Sequence, residues 1–349
     1  MFHSKHKRIS VVGAVAATAL MALAACSSGG STATTTSGAA AGSGDKLITV
    51  GFSQVGSESG WRAANTKDIQ ATLTKAAGFD LKFSDAQQKQ ENQIQAIRTY
   101  IAQGVDVIAF SPVVESGWDA VLEEAKKAKI PVVLTDRAVD SKDTSLYVTF
   151  LGSDFIKEGK AAGDWAVTEF GAKPTNIVEL QGTTGSAPAN DRMAGFKQAI
   201  ASHTNLKIIA SQTGNFTRSE GKTVMEGFLQ ANPNIDLVFA HNDDMGLGAI
   251  EAIEAAGKVP GKDIKIVTID AVHDGMQALA DGKINFIAEC SPLLGQQLAD
   301  VVKQVLAGKA PEKRIITTET TFTQEQAKTA LPALSTCASD AMLRCRHSA

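Results

Sequence analysis

Short apolar runs alternate with amphipathic stretches along most of the chain. Residues 47–52, 79–84, 105–110 and 130–134 read as strands. Between them lie three helical faces: Ile69, Leu73, Ala76 and Ala77; Ile94, Ile97 and Ile101; and Trp118, Val121, Leu122 and Ala125. Gly78 and Gly104 follow two of these faces, where a helix end favours a left-handed residue. The 105–110 run is almost continuously apolar, which predicts a parallel strand buried on both faces. After residues 147–151 the alternation restarts, with strands at 176–180, 206–211, 237–240, 264–269 and 284–290. The helical faces between them carry Met193, Phe196 and Ile200; Val224 and Phe228; Ile250 and Ile253; and Met276 and Leu279. A last face holds Leu298, Val301, Val302 and Val305. This rhythm predicts an α/β protein with two doubly wound parallel-sheet lobes and helices on both faces of each sheet.

The N-terminus follows another pattern. Lys5, Lys7 and Arg8 precede an apolar run over 9–25 that ends in Leu23-Ala24-Ala25-Cys26. A basic start, an apolar run and small residues make a secretory signal peptide over 1–25. A membrane anchor is the alternative, but the run is Ala-rich and short of the roughly 20 residues a span needs. Small residues abutting Cys26 resemble the lipobox of bacterial lipoproteins, which implies a diacylated Cys26. Residues 26–45 are mostly Ser, Thr, Gly and Ala, a composition that makes a flexible tether. The folded body therefore begins near Lys46.

Composition narrows the classes. The 349 residues are 44% hydrophobic and 20% charged, ordinary for a globular protein, and the length of the body suits two domains. The formal net charge is -3, and no basic stripe remains once the leader is removed, so nucleic acid is not an expected partner. Cys290 sits in an apolar strand, while Cys337 and Cys345 lie in the tail, where they are able to pair outside the cytoplasm. The three show no CxxC spacing, and His347 near Cys345 is too little for a metal site, so no metal and no cofactor is expected.

In doubly wound sheets ligands bind beyond the carboxyl ends of the strands. Those ends carry Trp61 and Arg62; Gln88; Asp136 and Arg137; Arg192; Phe216; Asn242; Asp270; and Glu289. The set suits a sugar. Carboxylates such as Asp136 and Asp270 accept from hydroxyls, Arg192 and Asn242 donate, and Trp61 and Phe216 cover C–H faces. Asn242, Asp243 and Asp244 open a helix, so one of them is expected to cap it. Hydrolase elbows, zinc-protease motifs and phosphate-cradling glycine loops are missing from the sequence, and none of the six His residues has an evident nucleophile partner.

Leu134-Thr135-Asp136-Arg137, Asn190-Asp191-Arg192-Met193-Ala194-Gly195-Phe196, Phe239-Ala240-His241-Asn242-Asp243-Asp244-Met245 and Ile269-Asp270 resemble the ribose-type periplasmic binding proteins. The stretch Gly51-Phe52-Ser53-Gln54-Val55-Gly56-Ser57-Glu58-Ser59-Gly60-Trp61-Arg62 is similar to the galactofuranose-binding branch of that family. The resemblance implies the type I periplasmic binding protein fold, its lobes joined by a three-crossing hinge near 152–153, 289–291 and 318–320. The lobes are then 46–152 with 291–318, and 153–290 with 319–332, leaving a tail at 333–349. By matched position the ligand contacts fall to Trp61, Arg62, Gln88, Asp136, Arg137, Arg192, Phe216, Asn242, Asp270 and Glu289.

The implied function is capture of a furanose monosaccharide and delivery to the permease of an ABC importer. The protein is expected to be a monomer, not an enzyme, held to the outer face of the cytoplasmic membrane or in the periplasm only by its lipid. A glycoside hydrolase using Asp136 and Asp270, or a receptor for another pentose or hexose, is the alternative reading. A sugar-responsive repressor would need a DNA-binding segment where this chain has an export signal.

Overall fold

The computed structural model describes residues 46–336. The leader, Cys26, the tether, Cys337, Cys345 and the tail beyond residue 336 lie outside the described residues. In chain order the elements are β1 (Ile48–Gln54), α1 (Gly60–Thr72), β2 (Phe79–Asp85), α2 (Gln90–Gln103), β3 (Val107–Phe110), α3 (Asp119–Lys127), β4 (Val132–Thr135) and β5 (Thr149–Gly152). There follow α4 (Phe155–Phe170), β6 (Thr175–Gln181), α5 (Ala187–Ile200), β7 (Leu206–Thr213), α6 (Arg218–Ala231), β8 (Leu237–Ala240), α7 (Asp243–Ala255), β9 (Lys265–Asp270), α8 (His273–Ala280) and β10 (Phe286–Glu289). The chain closes with α9 (Gly295–Leu306), β11 (Arg314–Ile316), β12 (Thr321–Phe322) and α10 (Gln324–Thr336).

Among the described residues the strands form two six-stranded sheets, ordered β11-β5-β4-β3-β1-β2 and β12-β10-β9-β8-β6-β7. The two halves repeat one winding. In each, the strand order reverses beside the first strand, where β1 pairs with both β2 and β3 and β6 pairs with both β7 and β8. Crevices open at such reversal points, beyond the strands' carboxyl ends. The pairs are parallel apart from β12, which runs antiparallel to β10.

Continuous apolar strands face two cores at once. Val107 and Ala109 of β3 pack with Leu298 and Val302, whereas Ile108 and Phe110 pack with Trp118 and Leu122 on the other face. β8 repeats this, with Leu237 and Phe239 against Phe196 and Val238 and Ala240 against Met225. Each such fully buried side chain stabilises the fold by about 1.5–3 kcal/mol, so the alternation commits these segments to interior strands.

The chain passes between sheets three times: after β5, after β10 and after β11. α9 follows a strand of the second sheet yet packs into the first core, and α10 lies against α8. β11, β12 and α10 were not anticipated from sequence, and α10 extends past the expected lobe end at 332 to Thr336. The helix that carries Arg192 begins at Ala187, several residues before Met193, the first residue of its predicted apolar face. Pro188 occupies its first turn, where a fixed φ and a missing N–H are no handicap. This helix meets α4 at close range: a Cβ on Gly159 would stand 2.1 Å from the Arg192 carbonyl oxygen, and one on Gly195 2.1 Å from that of Ile156. Two glycines thus let the helices touch and bring Arg192 beside Glu158. No helix among the described residues is long and apolar enough to cross a membrane.

Candidate functional site

Most of the expected residues meet in a cavity lined in part by Glu58, Trp61, Arg62, Asp136, Arg137 and Arg192. Phe216, Asn242, Asp270 and Cys290 complete most of the remaining wall. The lobes touch across it: the Gly60 amide donates to Asp244 at 2.9 Å, and the Glu115 amide donates to the Gly185 carbonyl at 2.9 Å.

Helix starts supply much of the wall. Ser59 caps α1 by accepting from the Arg62 amide at 3.1 Å, which puts Trp61 and Arg62 in the first turn, facing the cavity. On the other lobe Thr217 caps α6 and Asn242 caps α7. Tight backbone does the rest. Asp136 (φ 61°), Asp270 (φ 131°), Asn215 (φ 51°) and Phe216 (φ 63°) have positive φ although none is glycine. Each such residue costs about 1–3 kcal/mol and persists only where its surroundings hold it. All four lie at or just beyond the carboxyl ends of strands, and Asp136, Phe216 and Asp270 among them line the cavity.

The first lobe builds an ion cluster. Arg62 donates to Asp136 at 2.6 Å, to Glu58 at 3.1 Å and to Gln54 at 3.2 Å. Burial alone would pull the Arg62 pKa down, but the Asp136 and Glu58 carboxylates outweigh it and hold it above the usual value. Arg137 donates to Glu58 at 3.3 Å and to the Val113 carbonyl at 3.1 Å, while its buried Nε has no hydrogen-bond partner. Burial and the adjacent Arg62 guanidinium pull Arg137 down to about 10.

The second lobe presents Arg192, which donates to Glu158 at 2.7 Å and to the His241 carbonyl at 2.6 Å and lies 3.7 Å from Asp270. Burial pushes Asp270 well above the carboxylate range; Arg192 opposes the shift and Asp243 adds to it. The Phe216 ring lies between the Arg137 and Arg192 guanidiniums, 5.2 and 6.0 Å from their centres, at distances for cation–π attraction. Gly182 makes room for that ring, since a Cβ there would come within 1.9 Å of it. Trp61, beneath Arg62, packs with Phe155 and Ala288 and donates to the Cys290 carbonyl at 2.7 Å.

Eight of the sequence-derived contacts therefore come together: Trp61, Arg62, Asp136, Arg137, Arg192, Phe216, Asn242 and Asp270. Two do not. Gln88 is exposed on the turn after β2, with φ 59° and its amide bonded to the Val55 carbonyl, away from the cavity wall. Glu289 ends β10 and accepts from the Thr320 amide at 3.2 Å, serving the passage between sheets rather than the wall. Asn242 proves to be the cap among the Asn-Asp-Asp run: its Oδ1 accepts from the Met245 amide at 3.0 Å and its Nδ2 donates to the Phe216 carbonyl at 3.0 Å. One amide hydrogen is left for a ligand. Glu58, Ser59, Pro188 and Cys290 were missing from the expected set. The Glu58 signal was available, because it stands four residues before Arg62 and pairs with it. His241 is structural, its Nε2 donating to Glu179 at 3.0 Å while Nδ1 accepts from the Gly182 amide.

Two wound lobes enclosing a polar, aromatic-lined cavity are the build of a solute receptor, and residues 50–310 match the periplasmic binding protein domain. The chain belongs to that family. It is 52% identical to the galactofuranose-binding protein YtfQ of Escherichia coli (strain K12), over 80% of this chain and 89% of the relative. A crystal structure from Mycobacterium smegmatis in complex with β-D-fucofuranose is 61% identical, with a TM-score of 0.81, covering 83% of this chain and 96% of that one. The periplasmic binding protein component of the arabinose ABC transporter from Shewanella sp. ANA-3, bound to L-arabinofuranose, is 52% identical. Its TM-score is 0.79, over 82% of this chain and 95% of that one. Among binding proteins, then, the similarity spans both lobes.

Proposed function

We propose that the protein is the sugar receptor of an ABC importer and that it captures a furanose monosaccharide, galactofuranose or a relative of it. One observation carries the reading: the cavity wall holds three guanidiniums (Arg62, Arg137, Arg192) against three carboxyl groups (Glu58, Asp136, Asp270) beside two aromatic rings. Opposite charges paired at this density favour an uncharged ligand. The same groups both donate to and accept from hydroxyls. The furanose-bound relatives support the choice of ring.

Arg62 directs specificity. Asp136, Glu58, Gln54 and Ser111 hold most of its N–H groups, and the one left over is offered to the exocyclic hydroxyls of a hexofuranose, so a ligand lacking them leaves a buried donor unpaired. In this reading Cys26 carries the lipid that holds the exported chain at the membrane, the monomer docks on the permease, and the lobes are 46–152 with 291–318 and 153–290 with 319–332. Binding without turnover is the mechanism, with Asp136 and Asp270 as hydrogen-bonding groups.

Competition calorimetry with galactofuranose, arabinofuranose, ribose and galactopyranose tests it. Galactofuranose is expected to bind most tightly, with Arg62→Phe narrowing its margin over ribose. Equal binding of ribose or galactopyranose rejects the furanose assignment. Recovery of chemically altered sugar after incubation would replace the receptor with a hydrolase.

A further inference from the structure

The three passages between the sheets meet at one side chain. Glu319, between β11 and β12, accepts through Oε1 from the Ser153 hydroxyl, from the Ser291 amide at 3.0 Å and from the Thr317 hydroxyl at 2.8 Å. Ser153 belongs to the first passage, Ser291 to the second, and Thr317 to the third. The Ser153 hydroxyl also lies 3.3 Å from the Cys290 sulfur and 3.4 Å from the Thr317 hydroxyl.

This junction is wired to the cavity. Glu319, Glu158 and Cys290 place a carboxyl oxygen each and the sulfur within 4.8 Å of one another. Glu158 in turn accepts from Arg192 at 2.7 Å, and the Cys290 carbonyl accepts from Trp61. Arg192 and Trp61 both line the cavity. We propose that Glu319 is the positioning residue of the hinge: it fastens the three passages at one pivot and, with Glu158, joins that pivot to Arg192 in the ligand cavity.

Physical chemistry supports a fastening role. Three chain segments that rotate when two lobes separate share no covalent link, and a single acceptor bonded to all three limits how far each rotates alone. A carboxylate accepting several hydrogen bonds makes charge-assisted ones, stronger than neutral bonds. Two carboxyl groups this close do not both carry charge easily, and burial, opposed by Arg192 and helped by Glu319, pushes Glu158 up to about 8. Burial pushes Glu319 up as well, while the bonds from Ser153, Ser291 and Thr317 favour its charged form.

The inference rests on the receptor reading for its purpose, yet its test needs no sugar. Amide hydrogen exchange at Ser291 and small-angle scattering are measured on the unliganded protein, for wild type, Glu319→Gln and Glu319→Ala. Glu319→Gln keeps the acceptor oxygen and is expected to keep the protection at Ser291 and the radius of gyration. Glu319→Ala is expected to speed Ser291 exchange at least about tenfold, the effect of losing roughly 1.4 kcal/mol of local stability, and to enlarge the radius. In a separate arm, galactofuranose is expected to dissociate from Glu319→Ala about tenfold faster. Wild-type exchange at Ser291 together with a wild-type radius in Glu319→Ala overturns the proposal, as does a Glu319→Gln variant no different from Glu319→Ala. If Glu319→Ala does not fold, Thr317→Val removes one donor alone and is read in the same way, with unchanged exchange and radius overturning the proposal. Failure of galactofuranose to bind wild type counts against the sugar assignment and leaves the hinge result readable.

Discussion

The two walls of the cavity use similar groups in opposite ways. On the first lobe Arg62 is gripped by Asp136 and Glu58 at 2.6 and 3.1 Å, and these carboxylates hold its charge against burial. On the second lobe acids crowd around one guanidinium, and burial pushes Asp270, Glu158 and, behind them, Asp243 upward, the last to about 7. The first wall is a locked ion cluster of charged acceptors and donors. The second is a reservoir of acids whose burial favours the protonated, donating form. A sugar hydroxyl needs a partner of each kind, and the asymmetry offers a ligand both.

The largest effect is expected where the second wall depends on one cation. Arg192→Ala leaves Glu158 and the His241 carbonyl without their donor and Asp270 without its neighbouring cation, and each buried acceptor left unpaired costs about 1–3 kcal/mol. Denaturant titration checks this, and a loss below about 1 kcal/mol would mean that the acids already stand neutral without Arg192. The first wall responds in binding. Asp136→Ala removes a charged acceptor and strands the buried Arg62, and it is expected to weaken galactofuranose by about 30- to 1000-fold, about 2–4 kcal/mol, in a chain that still folds with reduced stability. Calorimetry giving near-wild-type affinity would shift recognition to the second wall.

The proton reservoir has a signature in pH. Unfolded, Glu158 titrates near 4.5, whereas in the fold it holds its proton to about 8. The folded chain therefore binds more protons between these values, and stability falls as pH rises, by up to about 1.4 kcal/mol per pH unit for one proton. Asp243 acts in the same direction up to about 7. His241 and Glu179, whose pKa values are lowered, act oppositely at lower pH. Thermal melts from pH 7 to 8.5 therefore report Glu158 together with the similarly raised Asp270: the melting temperature is expected to drop, and Glu158→Gln to reduce the slope. An unchanged slope in that variant removes Glu158 from the reservoir. The smallest effect belongs to a residue on neither wall. Gln88→Ala is expected to change affinity by no more than about 0.5 kcal/mol, and a tenfold loss would bring Gln88 back to the site.

Much of this was legible in sequence because periodicity reports burial. Leu237–Ala240 was bounded to the residue, and interior strands such as Val107–Phe110 stood out because every position is buried. β11 and β12 escaped notice for the opposite reason: they are two or three residues long and partly exposed, and Arg314–Ile316 has exposed ends. The site showed the same division. Residues on strand ends next to helix starts, such as Asp136 and Arg62, were readable from the fold rule, whereas Gln88 and Glu289 passed that rule and still missed the cavity.

Sequence by itself determined the alternation of strands and helices, the two wound halves, and the chemistry delivered to the strand ends, since these follow from local patterning and short-range caps such as Ser59. Only the tertiary structure decided which of those groups face one another. The positive-φ turns at Asp136, Phe216 and Asp270 aim side chains in a way that no propensity encodes. The contact of α4 with α5 across Gly159 and Gly195 sets Arg192 on Glu158. The meeting of Ser153, Ser291 and Thr317 on Glu319 joins residues far apart in the chain, and such a meeting exists only once both lobes are built.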